Sequence, residues 1–112
     1  MRTESILRDL APFGTYEIIR REDGAVIGAA GFYGPPDETG SVRVGYGLAE
    51  SARGRGYATE ALRGLLEWAR GQDGLTAVTA DTTRANVASQ RVMERAGMQR
   101  VGEDGELIYY MA

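Results

Sequence analysis

The stretch Ser51 to Thr59, Ser-Ala-Arg-Gly-Arg-Gly-Tyr-Ala-Thr, lies between a strand-like run and an amphipathic helical run. A helix N-terminus leaves its first N–H groups without partners, and the aligned peptide dipoles make that end positive, so a turn placed there is an anion site. Gly54 and Gly56 have no Cβ to hold an oxyanion off the backbone, while Arg53 and Arg55 add two permanent charges. Three or four charge-assisted hydrogen bonds at roughly 1.5–3 kcal/mol each would supply much of the roughly 8 kcal/mol that micromolar binding needs. The chemistry indicated is the grip of a pyrophosphate. Glycines and arginines also build ordinary solvated connections, and the run by itself leaves both readings open. It is not a P-loop, because no Gly-Lys-Ser/Thr follows, and Thr59 stands where a dinucleotide fingerprint has its third glycine.

A second group of chemistry-bearing residues opens at Asn86, with Ser89 three positions on. Alone, Asn86 reads as a helix N-cap and Ser89 as solvated helix surface. The chain has no cysteine and no histidine, so it lacks a thiol nucleophile, thiolate metal ligands and the commonest general base. Any catalysis must use oxygen groups, backbone and water, and no metal site is expected.

The elements that position these residues follow from pattern. With 112 residues, 43% of them hydrophobic, the chain is expected to be one domain. Its net charge of −3, with the arginines scattered, argues against a general nucleic-acid or anionic-membrane binder. No apolar run reaches membrane-spanning length, and the first residues carry no signal-peptide pattern, so a cytoplasmic location is expected. Thr3 to Leu10 predicts a short helix with Thr3 as N-cap. Tyr16 to Arg21 and Ala25 to Tyr33 predict strands joined by an Asp23-Gly24 turn. Gly34 to Gly40 is a loop, followed by a strand over Ser41 to Ala49. That strand places Val42, Val44, Tyr46 and Leu48 on one face and Arg43, Gly45, Gly47 and Ala49 on the other, an almost bare side suited to a long thin ligand or to a bulge.

Gly56 to Arg70 predicts an amphipathic helix burying Ala58, Ala61, Leu62, Leu65, Leu66 and Ala69, with Gly71 as its stop. Leu75 to Asp81 predicts a strand, and strand, helix and strand together imply a right-handed parallel crossover. A second helix is expected over Asn86 to Ala96, then a hairpin of Met98 to Gly102 and Glu106 to Met111 around Asp104-Gly105.

Arg53, Gly56 and Ala58 meet the pattern Q/R-x-x-G-x-G/A, and Asn86 to Met98 reads close to N-x-x-S-x-x-V-x-E-x-x-G-[FM]. With GFYG, VGYGL, RGRGYATEAL and LLEWA, these words make the chain resemble the GNAT superfamily of N-acetyltransferases, in particular the branch that acetylates ribosomal-protein N-termini. The resemblance implies an α/β (α+β) fold: a mixed, mostly antiparallel sheet with one splayed parallel pair and two main helices. It implies acetyl-CoA as cosubstrate, its pyrophosphate held by the backbone after Arg53, over Gly54, Arg55, Gly56, Tyr57, Ala58 and Thr59. The strand near Leu48 and Ala49 would pair with pantetheine, and Asn86 and Ser89 would line the reacting end.

The chain departs from the family at two places. Met93 stands where many members have a tyrosine acting as general acid, and Val42 and Arg43 stand where several have a glutamate base. Ser89 is left as proton donor or as a group that orients the thioester, and Glu50, Asp81 and Tyr46 could act through water.

The expected activity is acetyl transfer to a primary amine. A model α-amine near pKa 8 is roughly 10% neutral at pH 7, against below about 0.1% for lysine, so a site without a strong base suits a protein N-terminus or a small weakly basic amine. The alternatives are a catalytically silent acyl-CoA-binding module and, from another class, a dinucleotide-binding domain, which the flanking hairpins disfavour. Family members have a strand and two helices before the segment that starts near Thr15. Their shortness here would leave Thr15 to Arg21 as an uncovered edge strand, from which a homodimer is expected.

Overall fold

The computed structural model describes residues 5–8 and 13–112. The Asp23-Gly24 turn closes a hairpin of β2 (Thr15–Arg20) and β3 (Val26–Phe32), with Asp23 accepting from the Ala25 N–H and from the Arg20 guanidinium. β4 (Ser41–Leu48) returns antiparallel to β3, from Gly28↔Leu48 to Phe32↔Val44. The two backbones run so close at Gly28 that a Cβ there would overlap the Gly47 carbonyl oxygen.

After β4 come a 3₁₀ turn (Glu50–Ala52), helix α1 (Tyr57–Arg70), β5 (Ala77–Thr83), helix α2 (Val87–Arg95), β6 (Gln99–Asp104) and β7 (Leu107–Met111). With β1 (Ser5–Arg8) they make one seven-stranded sheet in the order β1-β2-β3-β4-β5-β7-β6. Every neighbouring pair is antiparallel except β4 and β5, the pair that flanks the α1 crossover. The expected α/β architecture, a mixed sheet with two helices, is therefore the observed one.

Alternation decides where the core sits. Val42 and Val44 of β4, Val78 and Ala80 of β5, and Ile108 and Tyr110 of β7 are buried, and all belong to one cluster with the helices. The apolar stripe of α1, Ala58, Ala61, Leu62, Leu65, Leu66 and Ala69, is buried in full, as its 3.6-residue spacing predicts. Trp68 extends that cluster with edge contacts to Phe13 at 5.1 Å and a tilted one to Phe32 at 5.3 Å.

Two expectations are corrected. Ser5 to Arg8, read as part of a helix, is strand β1, pairing with β2 from Ser5↔Arg20 to Arg8↔Glu17; the rest of that predicted helix lies outside the described residues. An isolated short helix is marginal, whereas the outer edge of β2 offers unpaired N–H and C=O groups that a strand satisfies at once. The same pairing means that β2 is not an uncovered edge, which removes the ground on which a homodimer was expected. The strand expected over Leu75 to Asp81 is shifted two residues on. Thr76 is spent on the loop instead, its N–H donating to Gly40 O and its hydroxyl to Thr39 O.

Candidate active site

β4 and β5 are paired only from Ser41↔Ala77 to Arg43↔Thr79. Beyond that point β4 stays with β3 and β5 stays with β7, so the sheet splays open between them. In a strand, N–H and C=O of one residue point to the same edge and alternate along the chain. Arg43 O accepts from Tyr33 N on the β3 side, and Ala49 N–H donates to Ile27 O on the same side. Val44, Tyr46 and Leu48 therefore turn their main-chain groups toward the opening. Ala49 is fully committed, because its carbonyl also accepts from Ala52 N. Of the two residues expected to pair with a ligand's amide chain, Leu48 turns its main-chain groups toward the opening, its carbonyl accepting from the Arg53 side chain, whereas both main-chain groups of Ala49 are committed to the backbone.

At the far end of β4 the 3₁₀ turn leads into the Arg53 to Gly56 connection. Gly54 has φ +77° and Gly56 φ +83°, with Arg55 between them at negative φ. Such alternation of hand aims successive N–H groups into one concavity. Gly56 is the N-cap of α1, and no side chain caps the helix. The first bond of α1 runs from Glu60 N to Gly56 O, and among the described residues the N–H groups of Gly54, Arg55, Gly56, Tyr57, Ala58 and Thr59 have no protein acceptor. A Cβ at Gly54 or Gly56 would meet nothing within 4 Å, and Arg53 to Gly56 are exposed, whereas Tyr57, Ala58 and Thr59 are buried. Arg53 leans back along β4, its Nε 3.4 Å from Leu48 O, while the exposed Arg55 makes no ion pair among the described residues. Unpartnered amides at the positive end of a helix dipole, with the Arg55 guanidinium beside them, are the features that anion sites use.

Inside the opening, α2 starts at Asn86, whose Oδ1 accepts from Ser89 N at 3.1 Å. Gln90 ties the same turn to the end of β5 through Thr83 O and Arg84 O. Across the gap, the Tyr46 hydroxyl of β4 donates to Ser89 Oγ at 3.1 Å. On the opposite face of the sheet, where β4 and β5 part, Arg43 pairs with Asp81 at 2.9 Å and lies 4.4 Å above the Tyr33 ring. The Asp81 side chain is only 20% exposed, so this carboxylate sits at the fork rather than in bulk water.

Residues 2–99 match the family model of the acetyltransferase (GNAT) domain. The chain belongs to the GNAT acetyltransferase family. It is 32% identical over 85 residues to the uncharacterized N-acetyltransferase YjdG of Bacillus subtilis, covering 76% of this chain and 51% of that protein. The chain thus spans about half the length of this curated relative. The fold is that of a GNAT-family acetyltransferase from Bacillus anthracis, with a TM-score of 0.78 at 23% identity over 88% of this chain and 64% of the other. It is also that of RimL, a ribosomal L7/L12 alpha-N-protein acetyltransferase solved with coenzyme A, with a TM-score of 0.77 at 18% identity over 88% of this chain and 60% of the other.

Of the sequence-predicted residues, Leu48 lies on the edge of β4 away from β3, Arg53 to Thr59 connect β4 to α1 and begin that helix, and Ser89, tied to Asn86, meets β4 through Tyr46. Met93 is buried in the core at 3% exposure, so no side chain reaches the opening from that position of α2. The bare face expected on β4 is only partly bare, since the Tyr33 ring covers Gly45, whereas Gly47 has nothing within 4 Å of a Cβ. The glycine face of β4 is thus closed at Gly45 and open at Gly47. Sequence reasoning did not find the pairing of Tyr46 with Ser89 or of Arg43 with Asp81. Both join residues 38 or more positions apart, and only the splay geometry brings them together.

Proposed function

We propose that this GNAT domain binds acetyl-CoA and transfers its acetyl group to a primary amine. The observation that carries the reading is the run of N–H groups from Gly54 to Thr59, at the start of α1, that have no protein acceptor among the described residues. Acetyl-CoA supplies an activated acyl group on a long arm ending in a diphosphate, and each part has a counterpart here. Arg53, Arg55 and the amides of Gly54, Arg55, Gly56, Tyr57, Ala58 and Thr59 hold the diphosphate. Leu48 main-chain groups pair with the arm, and Asn86 and Ser89 meet the thioester end. Holding both reactants in one cleft and polarising the carbonyl by hydrogen bonding are then the main sources of rate.

For the acceptor we propose a peptide N-terminus or a small, weakly basic amine, in line with the resemblance to ribosomal N-terminal acetyltransferases and with the fold shared with RimL. The only carboxylate at the fork, among the described residues, is Asp81, and it is already paired with Arg43. A site with no free strong base favours an amine that is already partly neutral. A second reading, an acyl-CoA-binding module without turnover, is favoured by the burial of Met93. Release of coenzyme A thiol from acetyl-CoA across a panel of N-terminal peptides and small amines separates the two: amine-dependent release supports transfer, and binding without release supports the module.

A further inference from the structure

Ser89 lies on the first turn of α2, where a helix serine ordinarily spends its proton on the carbonyl four residues back. Here it does not: the one hydrogen bond of Ser89 Oγ among the described residues is shared with the Tyr46 hydroxyl, at 3.1 Å. Its backbone N–H is fixed by Asn86 Oδ1. Tyr46 itself is half-buried, packed against the core on the helix side of β4, so its hydroxyl is held in place. The result is a pair of hydroxyls held 3.1 Å apart between β4 and α2, which spend one proton on each other and keep the second for a third group.

We propose that Tyr46 acts on the acyl-transfer step through Ser89, a role that rests on the transferase reading above. A hydroxyl that accepts a hydrogen bond becomes a better donor, because the two bonds polarise one another. A phenol is also a much stronger acid than an aliphatic alcohol. Alone, Ser89 is a poor proton source for a departing thiolate; joined to Tyr46, the proton it gives up is replaced from a phenol. As the amine nitrogen bonds to the acyl carbon and the carbon–sulfur bond breaks, the sulfur takes the Ser89 proton. Ser89 retakes one from Tyr46, Tyr46 retakes one from water, and the amine loses one to water. Tyr46 is thus a positioning residue, and Ser89 is the group that touches the sulfur. The buried thioether of Met93 supplies no such acid from α2, which leaves the step to this pair.

The test uses Tyr46→Phe, Ser89→Ala and the double variant of the full chain, read in two ways. The first is the ionisation of coenzyme A's own thiol while bound, followed by thiolate absorbance across pH, which needs no acceptor. A hydrogen bond to the thiolate lowers its pKa, so the wild type is expected to ionise bound coenzyme A at a pH lower by about half a unit or more than either single variant. The second is thiol release from acetyl-CoA with the amine panel. Tyr46→Phe is expected to lower kcat about tenfold with the KM for acetyl-CoA within about twofold, and the double variant to be no worse than Ser89→Ala. A Tyr46→Phe protein that titrates and turns over like the wild type overturns the proposal. So does one whose loss appears wholly as weaker coenzyme A binding, and so does full additivity of the two substitutions. A wild type that binds coenzyme A but releases no thiol with any amine overturns the transferase reading, and the thiol titration alone then decides whether the pair reaches the sulfur.

Discussion

The Tyr33 ring lies against Gly45: a Cβ added at Gly45 would stand 2.5 Å from the Tyr33 hydroxyl oxygen. Arg43 also stacks on this ring, 4.4 Å from its centre, and carries the contact to Asp81 on β5. A glycine that reads in sequence as a vacancy is here the seat of an aromatic side chain. The contact also closes the glycine face of β4 at that position.

Two glycine substitutions should therefore behave differently. At Gly45 the obstacle is the far end of a side chain that is 68% exposed and can swing away, so Gly45→Ala is expected to cost under about 1 kcal/mol. At Gly28 the obstacle is the Gly47 carbonyl of the neighbouring strand, so Gly28→Ala must part β3 from β4 and is expected to cost about 2–3 kcal/mol. Urea unfolding of both proteins checks this. Equal losses would mean that β3 and β4 are not as close as the structure has them.

Asn86 is a cap and a site residue at once, and the two roles separate by substitution. Asn86→Asp keeps the oxygen that accepts from Ser89 N, while Asn86→Ala removes it and is expected to cost about 1 kcal/mol of stability. The Asn86 amide NH₂ makes no hydrogen bond among the described residues and is free to donate to a ligand, which aspartate cannot do. Asn86→Asp is thus expected to unfold like the wild type yet bind coenzyme A more weakly. Unchanged affinity in that variant would reduce Asn86 to a cap.

The Asp23 turn gives a pH signature away from the site. The Arg20 guanidinium, followed by the Ala25 N–H, holds the Asp23 carboxyl well below its ordinary 3.8, at about 2. Its contribution to stability is then present above about pH 4 and lost as pH falls through about 2. Asp37, held low by Thr39, and Glu103, held low by Arg84, shift in the same direction. Asp23→Asn is expected to melt below the wild type at pH 6, with the gap closing between pH 4 and pH 2. A gap independent of pH would show that the carboxylate form of Asp23 does not stabilise the hairpin.

The fold was readable where one face of an element is buried and the other is not. The α1 stripe from Ala58 to Ala69 and the Asp23-Gly24 hairpin lie where their periods place them, because burial there follows local spacing. Ser5 to Arg8 was misread because its state is decided by the edge of β2, a non-local partner that no helical spacing reveals. The site divides along the same line. The turn through Gly54 and Gly56 and the start of α1 were legible as local structure, because glycines and a helix start act over a few residues. The partner of Ser89 was not, because it is Tyr46, 43 positions away, brought across by the divergence of β4 from β5.

The most direct measurement is a calorimetric titration of the wild type, Gly56→Ala and Arg53→Ala with coenzyme A and, in parallel, with pantetheine, which has the same arm without the diphosphate. If the unpartnered amides hold a diphosphate, coenzyme A binds the wild type about a hundredfold or more tighter than pantetheine does, and each substitution weakens coenzyme A about tenfold while leaving pantetheine nearly unchanged. Equal binding of the two ligands, or coenzyme A affinity indifferent to Gly56 and Arg53, would contradict the assignment of this turn and the acyl-transfer reading built on it.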